Sequence, residues 1–364
     1  MQNSAAAVSP ARERDIRYDL LRCIALLCII LAHVDPPKWL FQLRNFDVPL
    51  MVVLSGAVFA LSPSAATLSY GQYVKKRVLR LAVPVWIFYI IYFAASILVS
   101  VLFHIALPFT RSDVIGEFLF GGDGYSWIIG VFLMVALVAP FLWRARRDIG
   151  NDRRFLAGAI CVMAVGQCLF LLWSLLPESK GVIASFIANN YIFEVIPYSC
   201  IFAFGMCVPF MKRATLAYWS LFFAFIFLFY AAGAQGFQLP HSLANVIWTQ
   251  AYKYPAQLYF ISYALAASFS LLFLFYKKPH LPESFSSLIV FVSTASLWIY
   301  LWHIFFLSFF KHVFPTDWRL QKYVLVVLLS VAITFVQYRI TKAILARLSK
   351  KDGWLAFSLK FFVA

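Results

Sequence analysis

The stretch LAVPVWIFYIIYFAASILVSVLFHIAL, residues 81–107, contains no Asp, Glu, Lys or Arg, and it follows directly on Lys75-Lys76-Arg77-Val78-Leu79-Arg80. Roughly 20 mostly apolar residues suffice for a helix to cross the hydrocarbon core of a bilayer. The run therefore predicts a spanning helix with a basic anchor at one end. Composition extends that reading to the whole chain. Hydrophobic residues make up 63% of the 364 and charged residues 13%, with a mean hydropathy of +0.82, whereas a soluble domain is about a quarter charged. No single core hides that much apolar surface, so lipid is the solvent for most of it. The 39 Phe and 11 Trp suit helices that meet acyl chains and headgroups.

Working outward from residues 81–107, similar runs between charged or Pro/Gly-rich breaks lie near 17–35, 47–62, 125–143, 155–176, 190–211, 216–234, 256–276, 287–310 and 321–345. The expected fold is an all-α integral membrane protein of about ten transmembrane helices, the second short and open to being broken or tilted. Residues 1–11 are expected to be a disordered tail, 12–348 the membrane domain and 349–364 a short cytoplasmic tail. The first apolar run ends in His33-Val34-Asp35-Pro36-Pro37 with no small-residue cleavage site, so the first span is expected to be its own targeting signal. Loops are short, which assigns any chemistry to residues in or beside the helices.

The net charge of +16 would suggest nucleic acid in a soluble protein. Its distribution gives a different reason. With the N-terminus inside, the inner segments hold Arg12, Arg14, Arg17, Arg22, Lys75, Lys76, Arg77 and Arg80. They also hold Arg144, Arg146, Arg147, Arg153, Arg154, Lys212, Arg213, Lys277 and Lys278, and then Arg339, Lys342, Arg347, Lys350, Lys351 and Lys360. The outer segments keep only Lys38, Arg44, Arg111, Lys180, Lys253, Lys311, Arg319 and Lys322. Cytoplasmic loops carry the excess of Lys and Arg, so both termini are expected in the cytoplasm, and no nucleic-acid partner is needed. Cys23, Cys28, Cys161, Cys168, Cys200 and Cys207 all sit inside apolar runs, which gives neither a disulfide framework nor a metal site.

Ionisable residues inside a span are costly and mark function by default. Arg22 and His33 project from nearly one face of the first helix, roughly 16 Å apart along its axis. The plainer reading makes Arg22 a snorkelling topology charge and His33 an interfacial histidine. Arg77 and Arg80 are neighbours on one helix face; they read either as a cytoplasmic anchor or as an anion site, since arginine forks suit phosphate oxygens. Ser55-Gly56 within 49–56 reads as helix packing through small residues or as a polar site. Tyr300 and His303 share a face of the ninth run. Glu194 lies beside the Ile196-Pro197 break and reads chiefly as a loop-facing carboxylate.

These segments together resemble the membrane acyltransferase type 3 family. The family's Asp-x-Leu-Arg followed by ten residues and a His is matched by Asp19-Leu20-Leu21-Arg22 and His33. Its Pro-Leu-Phe-Phe-x-x-Ser-Gly segment is similar to Pro49–Gly56, with Met51 and Val52 in place of the aromatics. Its Arg-x-x-Arg is matched by Arg77 and Arg80 with Pro84 after them, its fourth helix by Trp127 through Pro140, and its Tyr-Leu-x-His by Tyr300, Leu301 and His303.

The resemblance implies an enzyme, an acyl-CoA-dependent O-acyltransferase of a multi-pass bacterial inner membrane. It implies transfer of an acyl group, acetyl first and succinyl second, to a hydroxyl of an extracytoplasmic or lipid-linked glycan. No bound cofactor or metal is expected; acetyl-CoA is a co-substrate. His33 and Arg22 are the expected catalytic residues, Arg77 and Arg80 the acyl-CoA site, and Ser55, Tyr300 and His303 candidates for oxyanion stabilisation or substrate orientation. Asp19 is expected to pair with Arg14, Arg17 or Arg22 rather than to assist His33. The rival reading is a secondary transporter or flippase of a lipid-linked sugar or small anion.

Overall fold

The structure is a computed structural model, and it describes residues 14–62, 69–121, 124–176, 181–234, 248–312, 319–348 and 357–363. The tail expected over 1–11 and the basic residues Arg12, Lys180, Lys350 and Lys351 lie outside the described residues. Among the described residues the chain is helical with no strand. The helices are α1 (Ile16–Ala32), α2 (Lys38–Leu43), α3 (Asp47–Leu61), α4 (Tyr70–Phe103), α5 (Arg111–Phe118), α6 (Trp127–Ile149) and α7 (Asp152–Ser174). They continue as α8 (Val182–Ile187), α9 (Phe193–Cys207), α10 (Arg213–Ala234), α11 (Leu258–Leu274), α12 (Glu283–Thr294), α13 (Ser296–His312) and α14 (Arg319–Arg347).

Local chemistry sets the boundaries. A capping box opens α4: Ser69 Oγ accepts from the Gln72 amide, and the Ser69 amide donates back to Gln72 Oε1 at 3.3 Å. Between α6 and α7 the chain stops and restarts within two residues. Gly150 takes φ +62° and closes α6 on the Arg146 carbonyl; Asn151 Oδ1 then accepts from the Arg153 and Arg154 amides at 2.9 and 3.2 Å.

Among the described residues, seven helical units are long and apolar enough to cross a membrane, and an eighth is present if the bent pair α12 and α13 counts as one span. The expected span at 287–310 is therefore not one straight helix: it turns by 75° at Ala295. α1 and α11 are apolar helices of 17 residues each, roughly 26 Å long against a core of about 30 Å. The short second run continues back through α2, giving a unit of 24 residues, Lys38–Leu61.

Burial sorts the bundle into inner and outer helices. The apolar windows of Lys38–Leu61 and Ile183–Phe210 are 67% and 78% buried, whereas those of α4, α7, α10 and α14 are 17–22% buried and face lipid. The inner contact is closest where α3 meets α9. A methyl group on Gly56 would strike the Phe202 carbonyl and stand 2.9 Å from the Met206 amide nitrogen; one on Gly205 would strike Val53. Only glycine lets the two backbones approach this far. The packing role read for Gly56 is thus realised. α1 lies against α3, α12, α13 and α14, so the helix that carries Arg22 and His33 is held on several sides.

Candidate active site

One end of α1 opens into a cavity of about 790 Å³, a size that accommodates a large ligand. Arg14, Arg17, Arg22, Arg77, Arg80 and Lys278 line it, from the N-terminal segment, α4 and the stretch before α12. Two of these cations are already neutralised. Arg14 forks onto Asp19 with both contacts at 2.7 Å, and Ser293 Oγ donates to the same carboxylate at 2.6 Å. Arg17 pairs with Asp15 at 2.6 Å and donates to the Tyr276 carbonyl. Asp19 is thus spent on Arg14, and Arg22, Arg77 and Arg80 form no ion pair with a carboxylate among the described residues. An excess of guanidinium facing an open cavity is an anion site, because each fork presents parallel N–H donors to phosphate oxygens. Ser55 lines this same cavity and spends its hydroxyl on the Met51 carbonyl at 2.8 Å.

The other end of α1 is aromatic. The His33 amide closes the helix on the Ile30 carbonyl, and Asp35 then turns the chain with φ +53°. The His33 ring meets Tyr125 edge-on at 4.9 Å and His303 at 5.5 Å. His303 in turn lies 4.7 Å from the Tyr300 ring. His303 is fully buried; its Nδ1 lies against the Tyr300 carbonyl, which assigns the proton to Nδ1 and leaves Nε2 as the lone-pair nitrogen. Nε2 has no hydrogen-bond partner among the described residues. The Tyr300 hydroxyl donates to the Tyr125 carbonyl at 2.5 Å. The structure therefore brings His33, Tyr300 and His303 together, and Arg22, Ser55, Arg77 and Arg80 line a different cavity, Arg22 standing eleven residues before His33 on α1. Among the described residues, no three of His, Cys, Asp and Glu converge as a metal site.

A family model described as an acyltransferase domain matches residues 15–339. The chain belongs to the acyltransferase type 3 family. No curated protein matches it.

Sequence reasoning missed several groups that frame the histidine end of this acyltransferase. Tyr125 is placed by Glu117, a buried carboxylate on α5 that accepts from the Tyr125 and Ser126 amides at 3.0 and 2.9 Å. A methyl group on Gly124 would meet the Glu117 carboxylate and displace it. Arg44 and Asp47 form a buried ion pair at 2.9 Å where α2 turns into α3. Lys253 is buried with its ammonium over the Trp127 ring. Nothing in the local sequence around Tyr125 or Lys253 marks these positions; the signal that existed was Arg44-x-x-Asp47, an ion pair at helical spacing.

Proposed function

We propose that this acyltransferase crosses the membrane ten times with both termini in the cytoplasm, and that it passes an acetyl group from cytoplasmic acetyl-CoA to a hydroxyl of an extracytoplasmic or lipid-linked glycan. The observation that carries the reading is the polarity of α1, with Arg22 in a basic cavity at one end and His33 in a histidine–tyrosine cluster at the other. The phosphates of the coenzyme fit the cavity of Arg22, Arg77 and Arg80. The pantetheine arm then follows α1 toward His33, roughly 16 Å from Arg22. The acceptor hydroxyl attacks the thioester carbonyl carbon and its proton passes to the His33 imidazole, a group that can take up a proton and release it again. The tetrahedral intermediate collapses, the C–S bond breaks, and the departing thiolate takes up the proton. The products are the O-acetyl ester and free coenzyme A.

Crossing by α1 and α11 is supported by their apolar sequence and by their packing beside longer spans. The orientation is supported by the gathering of Arg14, Arg17, Arg22, Arg77, Arg80 and Lys278 at one end. Ser55 belongs to the donor end in this reading, and Tyr300 orients Tyr125.

The test is label transfer from radiolabelled acetyl-CoA in inverted membrane vesicles expressing the wild type, His33→Ala or Arg77→Gln/Arg80→Gln. Label is expected on a glycan or lipid-linked sugar with the wild type. The His33 variant should show no transfer at normal expression, and the arginine double variant an acetyl-CoA KM raised by roughly tenfold or more. Transfer at wild-type rate by His33→Ala overturns the base assignment. Absence of transfer from both acetyl-CoA and succinyl-CoA overturns the enzyme reading in favour of transport.

A further inference from the structure

At the histidine end, the segment 248–257 folds against the corner between α2 and α3. The Asn45 amide donates to Thr249 Oγ1 at 3.0 Å, and the Gln250 backbone amide donates to Gln42 Oε1 at 3.1 Å. This anchoring carries Lys253 inward until it is 3% exposed. Its ammonium stands 5.3 Å from the Trp127 ring and 5.4 Å from the Tyr254 ring, and no carboxylate among the described residues lies within ion-pair distance of it. Glu194 on α9 is 5% exposed. A backbone hydrogen bond from Ala256 serves its carboxylate, while Oε2 has no partner. One turn along α9 the Tyr198 hydroxyl is also buried and unpartnered. Lys253 and Glu194 form no ion pair with each other.

Leaving a buried donor or acceptor unmade costs roughly 1–3 kcal/mol each and more for charged groups, so the open Glu194 Oε2 and Tyr198 hydroxyl favour a polar occupant, and Lys253, without an ion pair among the described residues, adds a cation to the region. The chemistry of that occupant follows from the charges. Arg44 is matched by Asp47, and Lys253 is opposed by Glu194, so the region offers no surplus charge to an anion. A sugar hydroxyl suits it: the oxygen accepts from the ammonium while the O–H donates to Glu194 Oε2. The Trp127 and Tyr254 rings pack edge-to-face on each other at 4.9 Å and together supply one apolar wall for a sugar C–H face. Trp127 follows Tyr125 by two residues, and Tyr125 touches His33, so a ring held here adjoins the proposed base.

We propose that Lys253, Glu194 and Tyr198, walled by Trp127 and Tyr254, form a subsite for the hydroxyls of a neutral sugar ring of the acceptor. This rests on the acyltransferase reading for its purpose but not for its measurement. The test is saturation-transfer NMR on the full chain in detergent, with methyl α-D-glucopyranoside, galactopyranoside and mannopyranoside as probes. Coenzyme A binding is measured in parallel as a check on folding. At least one glycoside should receive saturation from the wild type and from Lys38→Gln, an exposed control. Lys253→Met and Glu194→Gln should each weaken that glycoside by roughly tenfold or more while coenzyme A binding holds, and Lys253→Arg should restore most of it. The subsite is overturned if no glycoside binds, if both variants retain binding, or if methyl glucuronide alone binds. Lys253-dependent glycoside binding without acyl transfer would leave the subsite standing and remove the enzyme reading instead.

Discussion

His33 and His303 are neighbours but not equivalents. His303 is wholly buried, and its Nδ1 is committed to the Tyr300 carbonyl; His33 is only half-buried and ends a helix. The less buried ring suits the base and the fixed ring suits orientation. His33→Gln should therefore lower kcat by about 100-fold or more, within the range general-base catalysis supplies. His303→Asn, which keeps a donor for the Tyr300 carbonyl, should cost less than about tenfold in single-turnover measurements. Equal losses would assign both rings to proton transfer. Lys253 adds a pH signature. Burial pushes its ammonium down to about 8, with Asp47 resisting the shift, Arg44 adding to it and Glu194 resisting it. Below that value the ammonium is present to donate; as pH rises through about 8 the neutral amine replaces it, and acceptor affinity falls. The acceptor KM should accordingly rise across that interval, and Lys253→Arg should flatten the curve because guanidinium keeps its proton. An acceptor KM unchanged through the interval would separate Lys253 from acceptor binding.

At the scale of elements, the α3–α9 contact is the least tolerant part of the bundle. A side chain at Gly56 meets backbone atoms of Phe202 and Met206, which have no rotamer to relieve the clash, whereas one at Gly71 in the first turn of α4 meets nothing within 4 Å. Overpacking a tight interface costs about 1–3 kcal/mol and more where backbones must separate. Gly56→Leu should lower the melting temperature in detergent by several degrees or prevent recovery of folded protein, and Gly71→Ala should leave it unchanged. A Gly56→Leu protein that melts with the wild type would remove the packing argument. Sequence made parts of this legible for a physical reason. Arg22 and His33 lie on one helix, where spacing converts directly to geometry, and Ser55-Gly56 is a small-residue pair in an apolar run. The break at Ala295 was not legible, because Thr294-Ala295-Ser296 contains neither Pro nor Gly. Tyr125 and Lys253 were not legible either, since Tyr125 reaches the histidines and Lys253 reaches Trp127 only through the folding of distant segments, α5 with α6 and 248–257 with the α2–α3 corner.

For the whole molecule, the decisive property is that its two chemistries stand at opposite ends of one helix. Basic residues from three separate stretches of chain converge on one cavity, while the aromatic cluster and the Arg44–Asp47 pair occupy the other end. Sequence foresaw this separation through the charge bias of alternate loops, a statistical property summed over the chain, more securely than it foresaw any single partner. It also divides the molecule into surfaces that an impermeant reagent can tell apart. Lys75 lies exposed beside the arginines of α4, and Lys38 lies exposed at the start of α2 near the histidine end. With the native cysteines replaced, Lys75→Cys should react with a membrane-impermeant maleimide only in inverted vesicles, and Lys38→Cys only in intact cells or right-side-out vesicles. That pair of results fixes the arginine cavity on the side where acyl-CoA is made and the histidines on the side of the glycan. The reverse pair would place Arg22, Arg77 and Arg80 away from the donor and end the proposed route along α1. Labelling of both positions from one side would mean that α1 to α4 do not carry the chain across the membrane as the bundle requires.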